Sequence, residues 1–125
     1  MAQKVLLIDD SDFVRTMFLT VLMTGGFQVS AAKDGNEGIA AITKEKPDLI
    51  LLDLMMPVMD GFKVLSFLRG DPKTADIPVI VLSAKGNPEE IQKAMSLGAK
   101  DFLIKSTTPP KKVLEKVKFH LSSPK

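Results

Sequence analysis

Four short apolar runs in this chain each stop at a residue able to do chemistry: KVLLI at Asp9-Asp10, LILL at Asp53, IPVIVL at Ser83 and DFLI at Lys105. The set is three carboxylates, a hydroxyl and an ammonium. Carboxylates brought together need a cation, because two unit charges about 4 Å apart at an effective dielectric near 20 repel by roughly 4 kcal/mol. A hydroxyl beside an ammonium suits an oxyanion or a phosphoryl group. The pattern points to cation-assisted phosphoryl chemistry, provided the four run ends meet in space.

Strand-like runs alternate with helical periodicity five times, which predicts βα repeats and a parallel sheet. In such a sheet all four run ends lie at the carboxyl edge, where open α/β sheets place their sites. Residues 5–8 read as a central strand, and Val14, Met17, Phe18, Val21 and Leu22 then form one stripe of a helix that stops at Gly25-Gly26. Residues 27–32 read as a weaker strand. Asp34 with Glu37 resembles a capping box for a short helix through Ile39 and Ile42, closed by Pro47. Residues 49–52 are the most apolar strand, and a loop with Pro57 and Asp60-Gly61 leads to a helix carrying Val64, Leu65 and Leu68. The fourth strand is 77–82. Asn87-Pro88 opens a helix with Ile91, Ala94 and Met95 facing inward, ended by Gly98. A fifth strand at 101–104 and a last helix from Thr108-Pro109, with Val113, Leu114, Val117 and Leu121 inside, complete the set. One domain over 1–121 and a flexible tail over 122–125 are expected.

A chain of 125 residues and 13.6 kDa has room for one domain. Its 45% hydrophobic and 26% charged residues give the balance of a globular protein rather than a disordered one. Cysteine is absent, which excludes disulfides and thiolate metal sites. The apolar start is too short for a signal peptide, and LILLDLMMP and IPVIVLSA fall short of the roughly 20 residues of a membrane span, so a cytoplasmic protein with no membrane partner is expected. The formal charge is only +2, with Lys111, Lys112, Lys116, Lys118 and Lys125 gathered at the end as a solvated helix face. No arginine cluster occurs and Trp and Tyr are absent, which argues against nucleic acid as a partner of this chain alone. His120, the single histidine, reads as a surface or edge residue.

Taken together and in this order, IDD at 8–10, DLMMPVMDG at 53–61, VLSA at 81–84 and DFLIK at 101–105 resemble the receiver domain of two-component response regulators, of the CheY-like chemotaxis-regulator type. The resemblance covers roughly residues 3–121. It implies a doubly wound five-stranded parallel sheet in order 2-1-3-4-5, flavodoxin-like (βα)5, with helices on both faces. By the same resemblance Asp53 is the phospho-acceptor, a carboxylate nucleophile that forms an acyl phosphate. Asp10, Asp53 and the backbone carbonyl of Met55 would bind Mg²⁺ directly and Asp9 partly through water; oxygen-only ligands suit Mg²⁺, with Mn²⁺ as a substitute. Lys105 would follow the carboxylate and then the phosphoryl group, and Ser83 would turn its hydroxyl toward that group. Phe102 stands where the family often has an aromatic that changes rotamer, although a phenylalanine in a strand also reads simply as core. Met55 and Lys85, two residues beyond the acceptor and the hydroxyl, would tune rates. Ser106 departs from the family, which usually has proline there, so a trans peptide and a differently shaped loop are expected.

The function implied is a phosphorylation-activated signalling switch, either free-standing or the receiver part of a larger response regulator or hybrid kinase. It would take its phosphoryl group from a histidine kinase or a histidine phosphotransfer protein, change its α4-β5-α5 face for a downstream protein, and dephosphorylate itself without turning over an external substrate. A hydrolase with an aspartyl-phosphate intermediate would carry a second aspartate where Met55 stands. A flavin carrier would need a phosphate loop where DDSDF is anionic. A scaffold that is never phosphorylated has no need of the complete acidic pair, acceptor, hydroxyl and lysine.

Overall fold

The computed structural model describes residues 2–57 and 59–122. Five strands and five helices alternate: β1 (Lys4–Ile8), α1 (Asp12–Thr24), β2 (Gln28–Ala32), α2 (Gly35–Lys44), β3 (Leu49–Asp53), α3 (Gly61–Arg69), β4 (Val79–Ser83), α4 (Pro88–Ser96), β5 (Asp101–Ile104) and α5 (Pro110–Ser122), with a 3-10 turn at Lys105–Thr107 before the last helix. The strands form one parallel sheet in the order β2-β1-β3-β4-β5, as expected.

The central strands are continuous apolar runs because both of their faces are covered. Alternate residues point to opposite faces. Leu6, Ile8, Ile50, Leu52, Val79 and Val81 pack with Ile42, Val64, Leu65, Leu68 and Ala94 from α2, α3 and α4. Val5, Leu7, Leu49, Leu51, Ile80 and Leu82 pack with Phe18 and Leu22 of α1 and Val113 and Val117 of α5. The register brings the strand ends level: Ile8 lies opposite Leu52, Asp53 opposite Leu82 and Ser83 opposite Ile104. Every run end singled out above therefore reaches one edge.

Helix starts at that edge are capped by short polar side chains. Ser11, Asp34, Asp60 and Asn87 accept from the N–H groups of Val14, Glu37, Lys63 and Glu90, satisfying donors with no partner inside the helix. At the opposite edge α1 and α4 end in paired bonds around a left-handed glycine. In α4, Gly98 at φ +93 donates to Met95 O and Ala99 to Ala94 O. Arg69, the last residue of α3, closes this end: its guanidinium donates to Leu97 O at 3.0 Å and Gly98 O at 2.8 Å after α4, and to Ala75 O at 2.6 Å before β4.

Some expectations need correction. Met95 is 44% exposed rather than inward. Helix α4 has nine residues and presents one narrow stripe to the sheet, with Ala94 at its centre; the next residue is turned about 100° away. Helix α5 begins at Pro110, not Thr108-Pro109, with Pro109 O accepting from Lys112 and Val113. Ser122, expected in the tail, belongs to α5, and residues 123–125 lie outside the described residues. Among the described residues no helix is long and apolar enough to cross a membrane.

Candidate functional site

The edge where β1, β3, β4 and β5 end carries the candidate site. Asp9 follows β1 and is fully buried; Asp53 ends β3 at 3% exposure and Ser83 ends β4 at 1%. Asp10 is exposed. One carboxylate oxygen from each of Asp9, Asp10 and Asp53 can be chosen so that all three lie within 4.8 Å of one another. Lys105, at the head of the 3-10 turn, sets its Nζ 2.7 Å from Asp9 Oδ2 and 3.5 Å from Asp53 Oδ1. No peptide bond among the described residues is cis, so Ser106 follows Lys105 in trans, and the lysine still reaches both carboxylates.

Three carboxylates facing one ammonium leave negative charge in excess. Asp53 shows the result: its pKa is raised from 3.8 to about 7, chiefly by burial and then by the Asp9 charge, with Asp10 adding to the rise. Lys105 and the Met55 N–H, which donates to Asp53 Oδ1 at 3.3 Å, pull the other way. Asp9 Oδ2 is buried with no hydrogen bond, although Lys105 Nζ stands beside it. An oxygen-only donor set with surplus negative charge fits a hard dication such as Mg²⁺.

The other expected residues fall around this centre. Met55 is 64% exposed on the loop after β3, and Lys85 is exposed on the loop after β4. Phe102 is half-buried and packs on the α2–α4 side of the core. Its ring lies beneath Gly86, where an added Cβ would sit 3.4 Å from Phe102 and 2.8 Å from Ile104. His120 is not a plain surface residue: its Nε2 lies 3.0 Å from Asp101 Oδ2, which Lys116 also approaches at 3.9 Å. Between α1 and the 3-10 turn runs a groove of about 360 Å³ lined by Val14, Met17, Lys105, Thr107 and Pro110.

Sequence reading passed over one residue of the site. Arg15 Nη1 donates to the Asp9 carbonyl at 2.7 Å, and Nη2 pairs with Asp12. The signal was present as an Asp-Arg pair at i, i+3 in the first turn of a helix that starts from an acidic loop.

The family model of the response regulator receiver domain matches residues 5–118. The chain belongs to this family. Among solved receivers, CheY4 of Vibrio cholerae superposes with a TM-score of 0.89 at 32% identity, covering 95% of this chain and 98% of CheY4. The BeF3-activated N-terminal receiver domain of RstA from Klebsiella pneumoniae gives a TM-score of 0.87 at 30% identity, covering 97% of this chain and 100% of that one. RpaA of Synechocystis, a DNA-binding dual master transcriptional regulator, is 41% identical over 102 residues, which is 82% of this chain and 42% of RpaA. The chain spans between 41% and 51% of the length of the first curated relatives it matches. As a CheY-like receiver domain it carries the acidic pocket suited to phosphoacceptor chemistry and to regulation of a partner.

Proposed function

We propose that this receiver domain is a switch set by phosphorylation of Asp53. The observation that carries the reading is a buried carboxylate at a strand end with two further carboxylates and an ammonium around it. Asp53 attacks the phosphorus of a phosphohistidine on a kinase or phosphotransfer protein: one P–O bond forms, the P–N bond breaks, and the histidine nitrogen takes a proton. Hydrolysis by water returns the carboxylate and inorganic phosphate. Asp10, Asp53 and the Met55 carbonyl would hold Mg²⁺, with Asp9 behind them. Bound there, the ion would offset the carboxylate charge and supply Lewis-acid stabilisation to the phosphoryl oxygens.

The protein's own groups do the rest. Burial of Asp53 keeps bulk water off the acyl phosphate, and Lys105 Nζ, 3.5 Å away, is within reach of a phosphoryl oxygen. Ser83 would donate its hydroxyl to a second oxygen, drawing in the loop that carries Gly86 and freeing space for Phe102. The surface of α4, β5 and α5 changes as a result, and a downstream protein reads it. The groove between α1 and the 3-10 turn supports docking of the phosphodonor there, since Lys105, which reaches Asp9 and Asp53, forms part of its lining. An aspartyl-phosphate hydrolase is a poorer reading, because the residue two past the nucleophile is the exposed, apolar Met55 and cannot exchange a proton with a leaving group.

Incubation with acetyl phosphate and Mg²⁺, then borohydride trapping and mass spectrometry, is expected to place one modification on Asp53. Asp53→Asn should show none. Equal labelling of that variant would overturn the proposal. A second expectation concerns lifetime. Met55 covers the approach to phosphorus without orienting water, and the Lys85 charge favours the phosphorylated ground state. Met55→Asn with Lys85→Glu should therefore shorten the phosphoryl half-life about tenfold, a barrier change of about 1.4 kcal/mol. An unchanged or longer half-life with saturating Mg²⁺ would remove these residues from rate control.

A further inference from the structure

Asp9 is met by a partner at each of its polar atoms. Its N–H donates to Ala32 O at 3.1 Å and its Oδ1 accepts from the Ser11 N–H at 2.9 Å. Oδ2 faces Lys105 Nζ at 2.7 Å, and the carbonyl accepts from Arg15 Nη1 at 2.7 Å. Asp10 is the opposite case: it is exposed, and its carboxylate joins no hydrogen bond or ion pair among the described residues. The Asp9 carbonyl belongs to the peptide plane that joins the two aspartates. A group that holds this oxygen therefore also fixes the peptide plane from which the Asp10 side chain departs.

We propose that Arg15 is a positioning residue for the divalent-cation site, its guanidinium locking the peptide between residues 9 and 10 so that the Asp10 carboxylate stands beside Asp53. The fork is what the task needs. One nitrogen takes the carbonyl while the other is anchored by Asp12, and the Arg15 side chain is only 17% exposed. Lysine donates from a single nitrogen and lacks the rigid planar fork that places two separate nitrogens, one on each acceptor. Ser11 completes the brace from the backbone side: its Oγ caps α1 through the Val14 N–H, and its carbonyl accepts the Arg15 N–H at 3.0 Å. Arg15 thus ties the start of α1 to the loop that offers the ligand.

Charge and positioning make opposite predictions for this residue, which gives the test its force. A cation near a cation site weakens binding, so loss of Arg15 through charge alone would tighten Mg²⁺. Loss of a ligand-orienting partner weakens it, commonly by about 10- to 100-fold.

The inference rests on the reading that Asp10 and Asp53 take Mg²⁺, and the experiment keeps the two apart. The whole 125-residue chain is titrated with MgCl₂ by calorimetry and by amide chemical shifts, as parent, Asp10→Ala, Arg15→Ala, Arg15→Lys and the Arg15→Ala/Asp10→Ala double variant. Arg15→Ala is expected to raise Kd at least ~10-fold. Arg15→Lys keeps the charge but not the fork, and should still raise it about 3-fold, which carries the test if the alanine variant fails to fold. In the Asp10→Ala background the Arg15→Ala change should shrink to less than about 2-fold, since nothing is left to position. Binding by both Arg15 variants as tight as the parent's or tighter, with Asp10→Ala weakened, overturns the role of Arg15 alone. A parent and an Asp10→Ala variant that titrate alike overturn the cation reading itself and the Arg15 role with it.

Discussion

Asp53→Asn, without divalent cation at pH 8, is expected to melt at least ~5 °C above the parent. The cause is the charge balance of the pocket. The Asp53 carboxyl titrates near 7 in the folded protein against 3.8 ordinarily, chiefly because it is buried and faces Asp9. At about 1.4 kcal/mol per pH unit, ionising it costs the fold on the order of a few kcal/mol. The folded value is raised, so between pH 4 and 7 the native state binds more protons than the unfolded chain. The stabilising share of this group is complete below its ordinary value and is lost as pH rises through 7. An amide does not titrate. The gap between variant and parent should accordingly narrow below pH 7 and close near pH 4, and Mg²⁺ at millimolar concentration should reverse it at pH 8. Equal melting temperatures at pH 8 without metal would mean that Asp53 is not under this strain.

Gly61→Ala should lower stability by about 3 kcal/mol and the melting temperature by roughly 10 °C. Gly61 opens α3 directly against the end of β3. A Cβ there would lie 2.6 Å from Asp53 O and 2.8 Å from Leu54 Cα, both backbone atoms that cannot swing aside. The Gly61 N–H donates to Leu54 O at 2.9 Å, so relief by moving the helix start also breaks a bond in a buried turn. Gly70→Ala is the control. It ends the same helix, and its nearest contact would be an ordinary 3.4 Å from Ser66 O. Differential scanning calorimetry of the two variants decides the point: a Gly61→Ala protein melting within about 2 °C of the parent would show that the close approach of helix and strand is dispensable.

The sheet was legible because four of its strands are buried on one or both faces and leave unbroken or alternating apolar runs that punctuation residues cut cleanly. The caps at Asp34 and Asn87 were legible for the same local reason, a short polar side chain reaching an N–H three residues on. Features fixed by distance in space rather than along the chain were not. Nothing in residues 88–96 tells which way a nine-residue helix is rolled on the sheet, hence the error at Met95. The partner of His120 is nineteen residues away on β5. At the site, types and order point to all four run ends, and the family resemblance gives Asp10 a direct and Asp9 a water-mediated part, but neither tells how differently the two are buried. Adjacent residues leaving a strand diverge, so one is sealed under Lys105 and the other stands in solvent. Arg15 went unread because a long side chain advertises its charge and not its destination.

Arg69 gives α4 a pivot. One guanidinium stops the chain after α4 at Leu97 and Gly98 and also grips Ala75 ahead of β4, so the far end of α4 is fastened to the body of the domain. Its near end follows the loop from Ser83 and starts at the Asn87 cap. A rod held at one end swings. A helix of nine residues is about 13 Å long, so a tilt of about 10° leaves Leu97 in place and carries Asn87 through roughly 2 Å. Under the proposed switch, a small movement at the hydroxyl of Ser83 would be carried along the length of α4, largest at the Glu89 and Glu90 end and vanishing at the arginine.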